Sequence, residues 1–560
     1  MTDLLSRAAD WGKGDPDPIT REHVLRLVES GDTLALGELF STELTFGTAG
    51  IRGQVGPGPA RMNRAVVIRT TFGLASHLTS SGGVLVVVGF DARTDSERFA
   101  ADTVAVLAGA GLRVVRFREP APTPLVAFTA RHLEADAAVV ITASHNPRED
   151  NGYKVYGSNA AQIIPPVDTD IAEFIGTAPP ANEIPVADTG SGLIEDPPQD
   201  IAAIYRTQVN QVRPQPVGSD LKIVYTALHG CGGETLSRLL YEAGHRGLIP
   251  VMEQFEPDGN FPTVTFPNPE EKGALDLAMT AARRADADLV IANDPDADRL
   301  AAAVLFDGEW RMLTGNEMGG LLGDFVMRNW DSHSRPIVVN SIVSSPMLSR
   351  LADAYGARHE STLTGFKWIV NAGLALESAG EGTFAYGYEE ALGYTIGQVV
   401  RDKDGMSAAL VFCDLVENLR REDATVWDRL EELWAMAGLW GSGQYSIVRP
   451  GAEGVASILE LVDRLAADPP EDVRGLTVSG VTDYRVGAES RPVWLGAQDL
   501  VEMSFGSRGR ALARPSGTEP KLKIYVDLTE VMGEHPMSQQ ATVSAQAAEV
   551  AAELAKLITG

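Results

Sequence analysis

The sequence predicts an α/β protein of four consecutive domains, of which three are similar and the last is a smaller α+β domain. Its 560 residues are enough for three to four domains of ordinary size. Short β-branched runs alternate with helix-like stretches over most of the chain, which is typical of parallel sheets with helices on both faces. After about residue 440, paired runs around a glycine-bearing turn replace that alternation and predict a hairpin.

The first domain is predicted over residues 1–205. Residues 84–90 form an apolar run that predicts a buried strand, and a helical pattern follows over residues 95–111. Residues 113–117 and 137–141 have the composition of the next two strands. Because ligands of such folds bind beyond the carboxyl ends of the strands, the polar loops after these runs are the places to look for chemistry.

The second domain is predicted over residues 206–314, after a cluster of proline and glycine between residues 177 and 198. Its predicted elements are a strand at 221–225, a helix at 274–287 and a strand at 288–292.

The third domain is predicted over residues 315–439, with a strand at 336–339 and a second apolar stretch at 383–386. The fourth domain is predicted over residues 440–560. Its predicted elements are a hairpin of residues 500–505 and 510–514, a strand at 522–528 and a helix at 543–558.

Composition and charge exclude several classes of protein. The chain has 47 lysines and arginines against 76 aspartates and glutamates, a net charge of −29, so nucleic acid and anionic membranes are poor partners. The two cysteines, Cys231 and Cys413, indicate neither a disulfide framework nor a thiolate zinc site, and they favour the cytoplasm. Residues 1–17 are polar and acidic, so we expect a loose end that is neither a secretory signal nor a membrane anchor.

The first polar loop of interest covers residues 142–147, Thr-Ala-Ser-His-Asn-Pro, directly after the predicted strand at 137–141. It would present a hydroxyl nucleophile, Ser144, with a histidine, His145, beside it. A plain Asn-Pro turn is the alternative interpretation of the same residues.

The second polar loop follows the predicted strand at 288–292 and places carboxylates at alternate positions. These are Asp294, Asp296 and Asp298. Three anions so close in sequence repel one another strongly, and together they could hold a hard cation such as Mg²⁺ or Ca²⁺. The glycine and the distal glutamate of an EF-hand loop are missing. A solvated acidic turn is the alternative interpretation.

The third polar loop begins at Arg514 and reads Arg-Pro-Ser-Gly-Thr-Glu-Pro. An arginine fork, two hydroxyls and a glycine that exposes backbone N–H groups suit the binding of a phosphate. A simple Pro-Ser-Gly turn is the alternative. Further glycine-bearing polar segments at 46–53, 364–367 and 387–393 are each weak signals by themselves.

The order of these loops carries more information than any one of them. In this order the chain resembles the α-D-phosphohexomutase superfamily, in particular its longer phosphoglucomutase-2-like branch, from about residue 45 to residue 525. The motifs that carry the resemblance are Phe-Gly-Thr-Ala-Gly-Ile-Arg-Gly at 46–53, Thr-Ala-Ser-His-Asn-Pro at 142–147, Asp-x-Asp-x-Asp-Arg at 294–299, Gly-x-Glu-Glu at 387–390 and Arg-x-Ser-Gly-Thr at 514–518. The resemblance implies four domains around a central cleft.

The resemblance also implies catalytic roles. Ser144 would carry a phosphoryl group, Arg52 and Arg299 would lie beside it, and His145 or Lys154 would act as the base. The implied Mg²⁺ ligands are the phosphate on Ser144 and the carboxylates of Asp294, Asp296 and Asp298.

For the substrate, the resemblance implies contacts from the third and fourth domains. The residues facing the sugar would be Lys367, Glu389 and Glu390. Those holding the unreacting phosphate would be Arg514, Ser516, Gly517 and Thr518. The superfamily often has Gly between the metal-binding aspartates and Ser or Thr in the sugar loop, whereas this chain has Pro295, Ala297 and Ala391 at those positions.

The implied activity is that of a cytoplasmic isomerase that interconverts hexose 1-phosphate and hexose 6-phosphate, of glucose, mannose or both. It would work through a phosphoserine and a bisphosphorylated sugar, with Mg²⁺ as cofactor and glucose 1,6-bisphosphate as activator. Alternatives on the same scaffold are a phosphopentomutase, a glucose 1,6-bisphosphate synthase and a metal-dependent sugar phosphatase. A sugar-phosphate sensor without catalysis is disfavoured, because the nucleophile and all three carboxylates are present. The sequence leaves the oligomeric state open.

Overall fold

The computed structural model describes residues 2–47, 50–330, 333–449, 452–516 and 521–559. Within them the helices are α1 (Thr2–Gly14), α2 (Pro18–Ser30), α3 (Thr33–Phe40), α4 (Arg64–Ser81), α5 (Ser96–Gly109), α6 (Thr123–His132), α7 (Val167–Gly176), α8 (Ile201–Gln211), α9 (Gly233–Glu242), α10 (Asp276–Ala285), α11 (Gly315–Arg328), α12 (Met347–Tyr355), α13 (Phe366–Ser378), α14 (Gly405–Arg421), α15 (Val426–Ala437), α16 (Ala452–Ala467) and α17 (Pro536–Thr559).

The strands over the same ranges are β1 (Ile51–Gln54), β2 (Leu85–Phe90), β3 (Arg113–Arg116), β4 (Ala137–Ile141), β5 (Asp150–Tyr156), β6 (Ile194–Glu195), β7 (Ser219–Thr226), β8 (His245–Pro250), β9 (Leu289–Ala292), β10 (Ala301–Phe306), β11 (Glu309–Met312), β12 (Pro336–Ser341), β13 (Arg358–Thr362), β14 (Thr383–Glu389), β15 (Gly393–Ile396), β16 (Leu439–Val448), β17 (Asp472–Val473), β18 (Leu476–Thr477), β19 (Gly480–Asp483), β20 (Val501–Ser504), β21 (Gly509–Pro515) and β22 (Lys521–Glu530).

The chain divides into two compact units. Unit 1 comprises residues 1–313 and 393–414, and unit 2 comprises residues 314–392 and 415–560. The four segments predicted from the sequence follow other limits, and those limits remain a prediction. Each unit is described by itself below.

The first sheet of unit 1 has the strand order β1-β5-β4-β2-β3-β6. Strand β2 pairs in parallel with β3 and β4, and its residues are buried from Val86 onward because helices α5 and α6 pack against it. The sheet is mixed, because β5 at the other edge runs antiparallel to β4 and β1. Residues 142–149, which join β4 to β5, are too few for the helical crossover that a parallel pair requires.

The second sheet of unit 1 repeats this plan with the strand order β11-β10-β9-β7-β8. Strand β7 pairs in parallel with β8 and β9, while β10 runs antiparallel to β9. The short loop at residues 293–300 again rules out a crossover helix. In both sheets, therefore, a tight loop follows one of the two strands that pair with the central strand. These strands are β4 in the first sheet and β9 in the second.

The expectation of a loose amino-terminal end is wrong. Helices α1, α2 and α3 pack on one another around a small apolar core formed by Ala8, Val24, Leu36 and Phe40. Trp11 adds an edge-to-face contact with Phe40, with 5.9 Å between the ring centroids. Each helix offers only a few apolar residues to this core, which is why the polar composition of residues 1–17 concealed it.

Unit 2 contains a parallel sheet in which β12 lies between β13 and β14. It also contains an antiparallel sheet with the order β16-β22-β21-β20-β19, in which β20 and β21 form the predicted hairpin. Helix α17 lies directly on β16. Gly441 and Gly443 permit this close approach, because a Cβ at these positions would come within 2.4 or 2.2 Å of the helix backbone. In the part of the chain that the structure describes, no helix has both the length and the apolarity needed to cross a membrane.

Candidate active site

The loop after β4 presents the hydroxyl of Ser144. The backbone of this serine is left-handed, with φ 53°, and its N–H donates to Thr142 Oγ1 over 2.8 Å. Ser144 Oγ donates to Asp294 Oδ2 over 2.6 Å and lies 3.2 Å from Nδ1 of His145. The predicted nucleophile is therefore in direct contact with the predicted metal loop of the second sheet.

The three aspartates of the loop after β9 form one buried cluster. Asp294, Asp296 and Asp298 are each 0% exposed, and one carboxylate oxygen from each lies within 4.8 Å of the other two. Among the described residues, Oδ1 of Asp296 and Oδ1 of Asp298 have no hydrogen-bond partner. Buried carboxylate oxygens without donors are costly, and a hard cation with oxygen ligands would satisfy them. The donor set thus fits Mg²⁺ or Ca²⁺.

Two lysines balance part of this negative charge. Lys154 Nζ donates to Asp296 Oδ2 over 2.7 Å and to Asp298 Oδ2 over 2.9 Å, and Lys403 Nζ lies 3.4 Å from Asp298 Oδ2. Burial opposes the charge on Lys154, but the two carboxylates outweigh it and raise its pKa. Burial likewise disfavours ionised Asp298, but the lysines and Arg299 outweigh it and lower its pKa.

The pKa values of the two titratable groups in contact with Ser144 Oγ are shifted in opposite directions. Burial, together with the charges of Asp296 and Asp298, raises the pKa of Asp294 well above its ordinary value. Burial and the neighbouring arginines lower the pKa of His145 well below its ordinary value. His145 is thus a neutral imidazole at pH 7, which is the form able to accept a proton.

Two arginines, Arg52 and Arg299, lie near the cluster. Arg52 Nη1 donates to the side chain of Asn146 over 3.0 Å. The backbone N–H of Arg299 donates to Asp294 Oδ1 over 3.0 Å, and its Nε lies 3.9 Å from Asp294 Oδ2 and 4.0 Å from Asp298 Oδ1. Two guanidinium groups beside a serine and a cation site can stabilise charge on a phosphoryl group.

Several side chains of the site were not identified from the sequence. Thr123 Oγ1 donates to Asp296 Oδ2 over 2.7 Å, and Asp91 Oδ2 accepts a hydrogen bond from Thr142 Oγ1 over 2.6 Å. Lys403 reaches the cluster from a distant segment of the chain. Asp91 could have been found, because it directly follows the apolar run that predicts β2, whereas Thr123 and Lys403 have no such signal.

The predicted sugar-binding residues lie in unit 2. Glu389 ends β14, and Lys367 lies in the first turn of α13. Glu390 follows β14, and its Oε2 accepts hydrogen bonds from Ser341 Oγ over 3.0 Å and from Ser344 Oγ over 2.9 Å. These bonds fix the turn after β14, so Glu389 and Glu390 are held on a rigid support.

The predicted phosphate loop also belongs to unit 2. Arg514 lies in β21, and the N–H of Ser516 donates to the carbonyl of Lys521 over 2.8 Å. Gly517 and Thr518 lie outside the described residues. The described part of the loop is therefore anchored at the ends of β21 and β22.

Comparisons with known proteins identify the family of the chain. Three family models match the chain in order: phosphoglucomutase/phosphomannomutase alpha/beta/alpha domain I at residues 43–181, domain II at 201–305 and domain III at 314–436. The two reactive loops of unit 1 lie within the first two matches. The resemblance inferred from the motifs is thus confirmed.

The individual relatives are named after different sugar phosphates. A Haemophilus influenzae protein named "Probable phosphomannomutase" is 40% identical over 83% of this chain and 93% of its own length. The human phosphopentomutase is 34% identical over 94% of this chain and 91% of its own length. The crystal structure of the Paramecium phosphoglucomutase parafusin in its open form shares the fold, with a TM-score of 0.68 at 18% identity, over 92% of this chain and 96% of that one. The chain belongs to the phosphoglucomutase/phosphomannomutase family of the α-D-phosphohexomutase superfamily, and it is a mutase of the phosphohexomutase type.

Proposed function

We propose that the protein is a phosphosugar mutase that interconverts hexose 1-phosphate and hexose 6-phosphate, of glucose, mannose or both, through a phosphoserine at Ser144. The observation that carries this proposal is the 2.6 Å contact between Ser144 Oγ and Asp294 in a cluster of buried carboxylates. A hydroxyl next to a cation site is suited to accept and release a phosphoryl group.

The cation proposed for the site is Mg²⁺, held by Asp294, Asp296 and Asp298. When bound there, it would neutralise the negative charge of the transferring phosphoryl group. The unpartnered carboxylate oxygens of Asp296 and Asp298 are the atoms available to it. Arg52 and Arg299 supply further positive charge to the equatorial oxygens in the loose transition state of phosphoryl transfer.

The first proposed step transfers the phosphoryl group from Ser144 to the free hydroxyl of a sugar monophosphate. The bond between Ser144 Oγ and phosphorus breaks, a bond from the sugar oxygen to phosphorus forms, and the hydroxyl proton passes to a base. His145, which is neutral, and Lys154 are the two candidate bases. Lys154 could act as a base only after losing the proton that Asp296 and Asp298 stabilise on its Nζ.

The second proposed step is the reverse transfer from the other end of the sugar bisphosphate. The bisphosphate turns around while bound, and its second phosphoryl group returns to Ser144, which yields the isomeric monophosphate. The phosphate loop at Arg514 and Ser516 would hold the phosphate that does not react. Glucose 1,6-bisphosphate is the proposed activator, because it phosphorylates Ser144 at the outset.

A pentose 1-phosphate is the second candidate substrate. The human relative is named a phosphopentomutase, and it matches this chain over nearly the full length of both proteins. Ala391 offers no hydroxyl in the sugar loop, which lowers the penalty for a smaller sugar. Both activities would use the same serine, cation and phosphate loop.

One incubation tests the proposed reaction. Purified protein is mixed with glucose 1-phosphate, Mg²⁺ and a trace of glucose 1,6-bisphosphate, and the products are followed by phosphorus NMR. We expect glucose 6-phosphate to form without inorganic phosphate. Release of inorganic phosphate as the main product would identify a phosphatase instead.

A further inference from the structure

Arg93 belongs to none of the sequence motifs. The hydrogen bonds of its Nη1 and Nη2 atoms go to the loop that carries Ser144. Its side chain is buried, with the residue 3% exposed. Nη2 donates to the carbonyl oxygens of Ser144 and Asn146 over 2.6 and 2.5 Å, and Nη1 donates to those of Pro147 and Asp150 over 2.6 and 3.0 Å. One guanidinium thus satisfies four carbonyl groups of a single loop.

Arg93 is itself held from both sides. Its Nε lies 3.3 Å from Asp91 Oδ2, and Asp91 Oδ1 accepts its backbone N–H over 3.0 Å. The ring of Phe261, from the loops of the second sheet, lies 5.2 Å from the guanidinium carbon. Gly259 allows this approach, because a Cβ there would lie 2.2 Å from the carbonyl oxygen of Ala92.

The loop needs such support. Ser144 has a left-handed backbone, which a residue other than glycine keeps only when its surroundings impose it. Arginine is the only side chain with five N–H donors in a rigid fork, so a lysine could not reach the same set of carbonyls. Asp91 also accepts from Thr142 Oγ1, which in turn accepts the N–H of Ser144.

We propose that Arg93 is a positioning residue that holds the loop of residues 144–150 against the second sheet, so that Ser144 Oγ stays at Asp294. This inference rests on the proposed role of Ser144 as phosphoryl carrier. Arg93 acts through the loop and does not touch the substrate, so its loss changes the rate of phosphoryl transfer and leaves substrate binding in place.

The test compares Arg93→Met, Arg93→Lys and Phe261→Leu with wild type and with Arg64→Met as the matched control. Arg93→Ala is measured with and without added guanidinium ion. Arg64 lies in the same domain and forms a forked pair with Asp102 over 2.7 and 2.6 Å, away from the serine loop. Three quantities are measured: kcat and KM for glucose 1-phosphate, the single-turnover rate of Ser144 phosphorylation by glucose 1,6-bisphosphate, and hydrogen exchange of peptides covering residues 142–150.

For Arg93→Met we expect kcat and the single-turnover rate to fall by about 100-fold, with KM changed by less than about threefold. Exchange of residues 142–150 should become faster in this variant. Arg93→Lys and Phe261→Leu should show smaller losses of the same kind, and guanidinium ion should restore part of the rate of Arg93→Ala. Arg64→Met should resemble wild type in all three measurements.

Two outcomes would overturn the inference. One is a folded Arg93→Met that phosphorylates Ser144 at the wild-type rate, and the other is protection of residues 142–150 that is the same in wild type and Arg93→Met. If Arg93→Met does not fold, Arg93→Lys and Phe261→Leu decide the question by the same criteria. Failure of the wild type to phosphorylate Ser144 would contradict the proposed function, while the exchange data would still test the loop contact.

Discussion

Two residues of the site have a backbone that their side chains disfavour. Ser144 and Ala297 have φ values of 53° and 58°, in the left-handed region. Each such residue costs on the order of 1–3 kcal/mol and persists only when neighbouring contacts impose it. Both lie in tight loops that directly follow a buried strand, and both are buried. The serine loop and the aspartate loop therefore each contain one residue with a strained backbone.

Asp296 is the residue at which the cation proposal is most easily tested. Asp296→Asn keeps the shape of the side chain but removes one anion from an all-oxygen site, so the affinity for Mg²⁺ should fall by more than about tenfold. Calorimetric titration with Mg²⁺ and the Mg²⁺ dependence of activity measure this. Asp307→Asn is the control, because Asp307 lies exposed in the turn between β10 and β11 of the same sheet. Activity that is indifferent to chelation would contradict the proposal.

His359 of β13 should make unit 2 sensitive to acid. Burial, with a smaller contribution from Arg358, lowers the pKa of His359 from 6.5 to about 4, and its Nε2 lies 2.9 Å from Asn340 Oδ1. Because the unfolded chain binds a proton below pH 6.5 that the folded chain does not, stability should fall between pH 6.5 and pH 4, by on the order of 2–3 kcal/mol.

The thermal midpoints of wild type and His359→Gln, measured from pH 7 to pH 4, test the effect of this histidine. We expect the midpoint of the variant to fall less steeply with decreasing pH. Parallel curves would show that the acid sensitivity arises elsewhere.

At the scale of elements, the predicted reactive loops follow corresponding strands. In each α/β sheet a central strand, β2, β7 or β12, pairs in parallel with a following strand on one side. On its other side it pairs in parallel with β4, β9 or β14. The serine loop, the aspartate loop and the turn with Glu390 each follow this last strand. Three sheets of similar topology thus carry different functional side chains at corresponding positions.

The same topology explains what could be predicted from the sequence. Ser144 and the three aspartates stand next to buried apolar runs, so their loops could be singled out from the sequence. The order of the motifs was needed to give them roles. Arg93 could not be recognised, because its partners are backbone carbonyls, which leave no mark in the sequence. Lys403 was missed because residues 393–414 return to unit 1 from a distant part of the chain.

The turn after β14 leads to a prediction about substrate choice. Glucose and mannose differ only at the 2-hydroxyl, so a turn that contacts other hydroxyls of the sugar should accept both. We expect kcat/KM values for glucose 1-phosphate and mannose 1-phosphate within about two decades, equivalent to roughly 2.7 kcal/mol, and slow turnover of ribose 1-phosphate.

A direct comparison of the three sugar phosphates at saturating glucose 1,6-bisphosphate measures this preference. Ala391→Ser is the matched variant, because it adds a single hydroxyl to this turn. We expect it to reduce turnover of the ribose substrate relative to the hexoses. A strong preference for ribose 1-phosphate in the wild type would show that other contacts set specificity.

At the scale of the whole molecule, residues 393–414 connect distant parts of unit 1. Gly393 pairs with the backbone of Arg299, Asp402 accepts hydrogen bonds from Tyr156 and Gln162, and Lys403 lies beside the aspartate cluster. The segment therefore touches both sheets of unit 1 at the site. Its position, like the packing of α1 to α3, depends on contacts between residues far apart in sequence.

The central claim is that Ser144 carries the phosphoryl group, and intact-protein mass spectrometry tests it most directly. Wild type and Ser144→Ala are mixed with glucose 1,6-bisphosphate and Mg²⁺, then with excess glucose 6-phosphate, and their masses are compared at each stage. We expect the wild type to gain one phosphoryl group on the peptide containing residue 144 and to lose it to the added sugar, while folded Ser144→Ala gains none and has no mutase activity. Phosphorylation of Ser144→Ala, or mutase turnover by it at the wild-type rate, would contradict the claim.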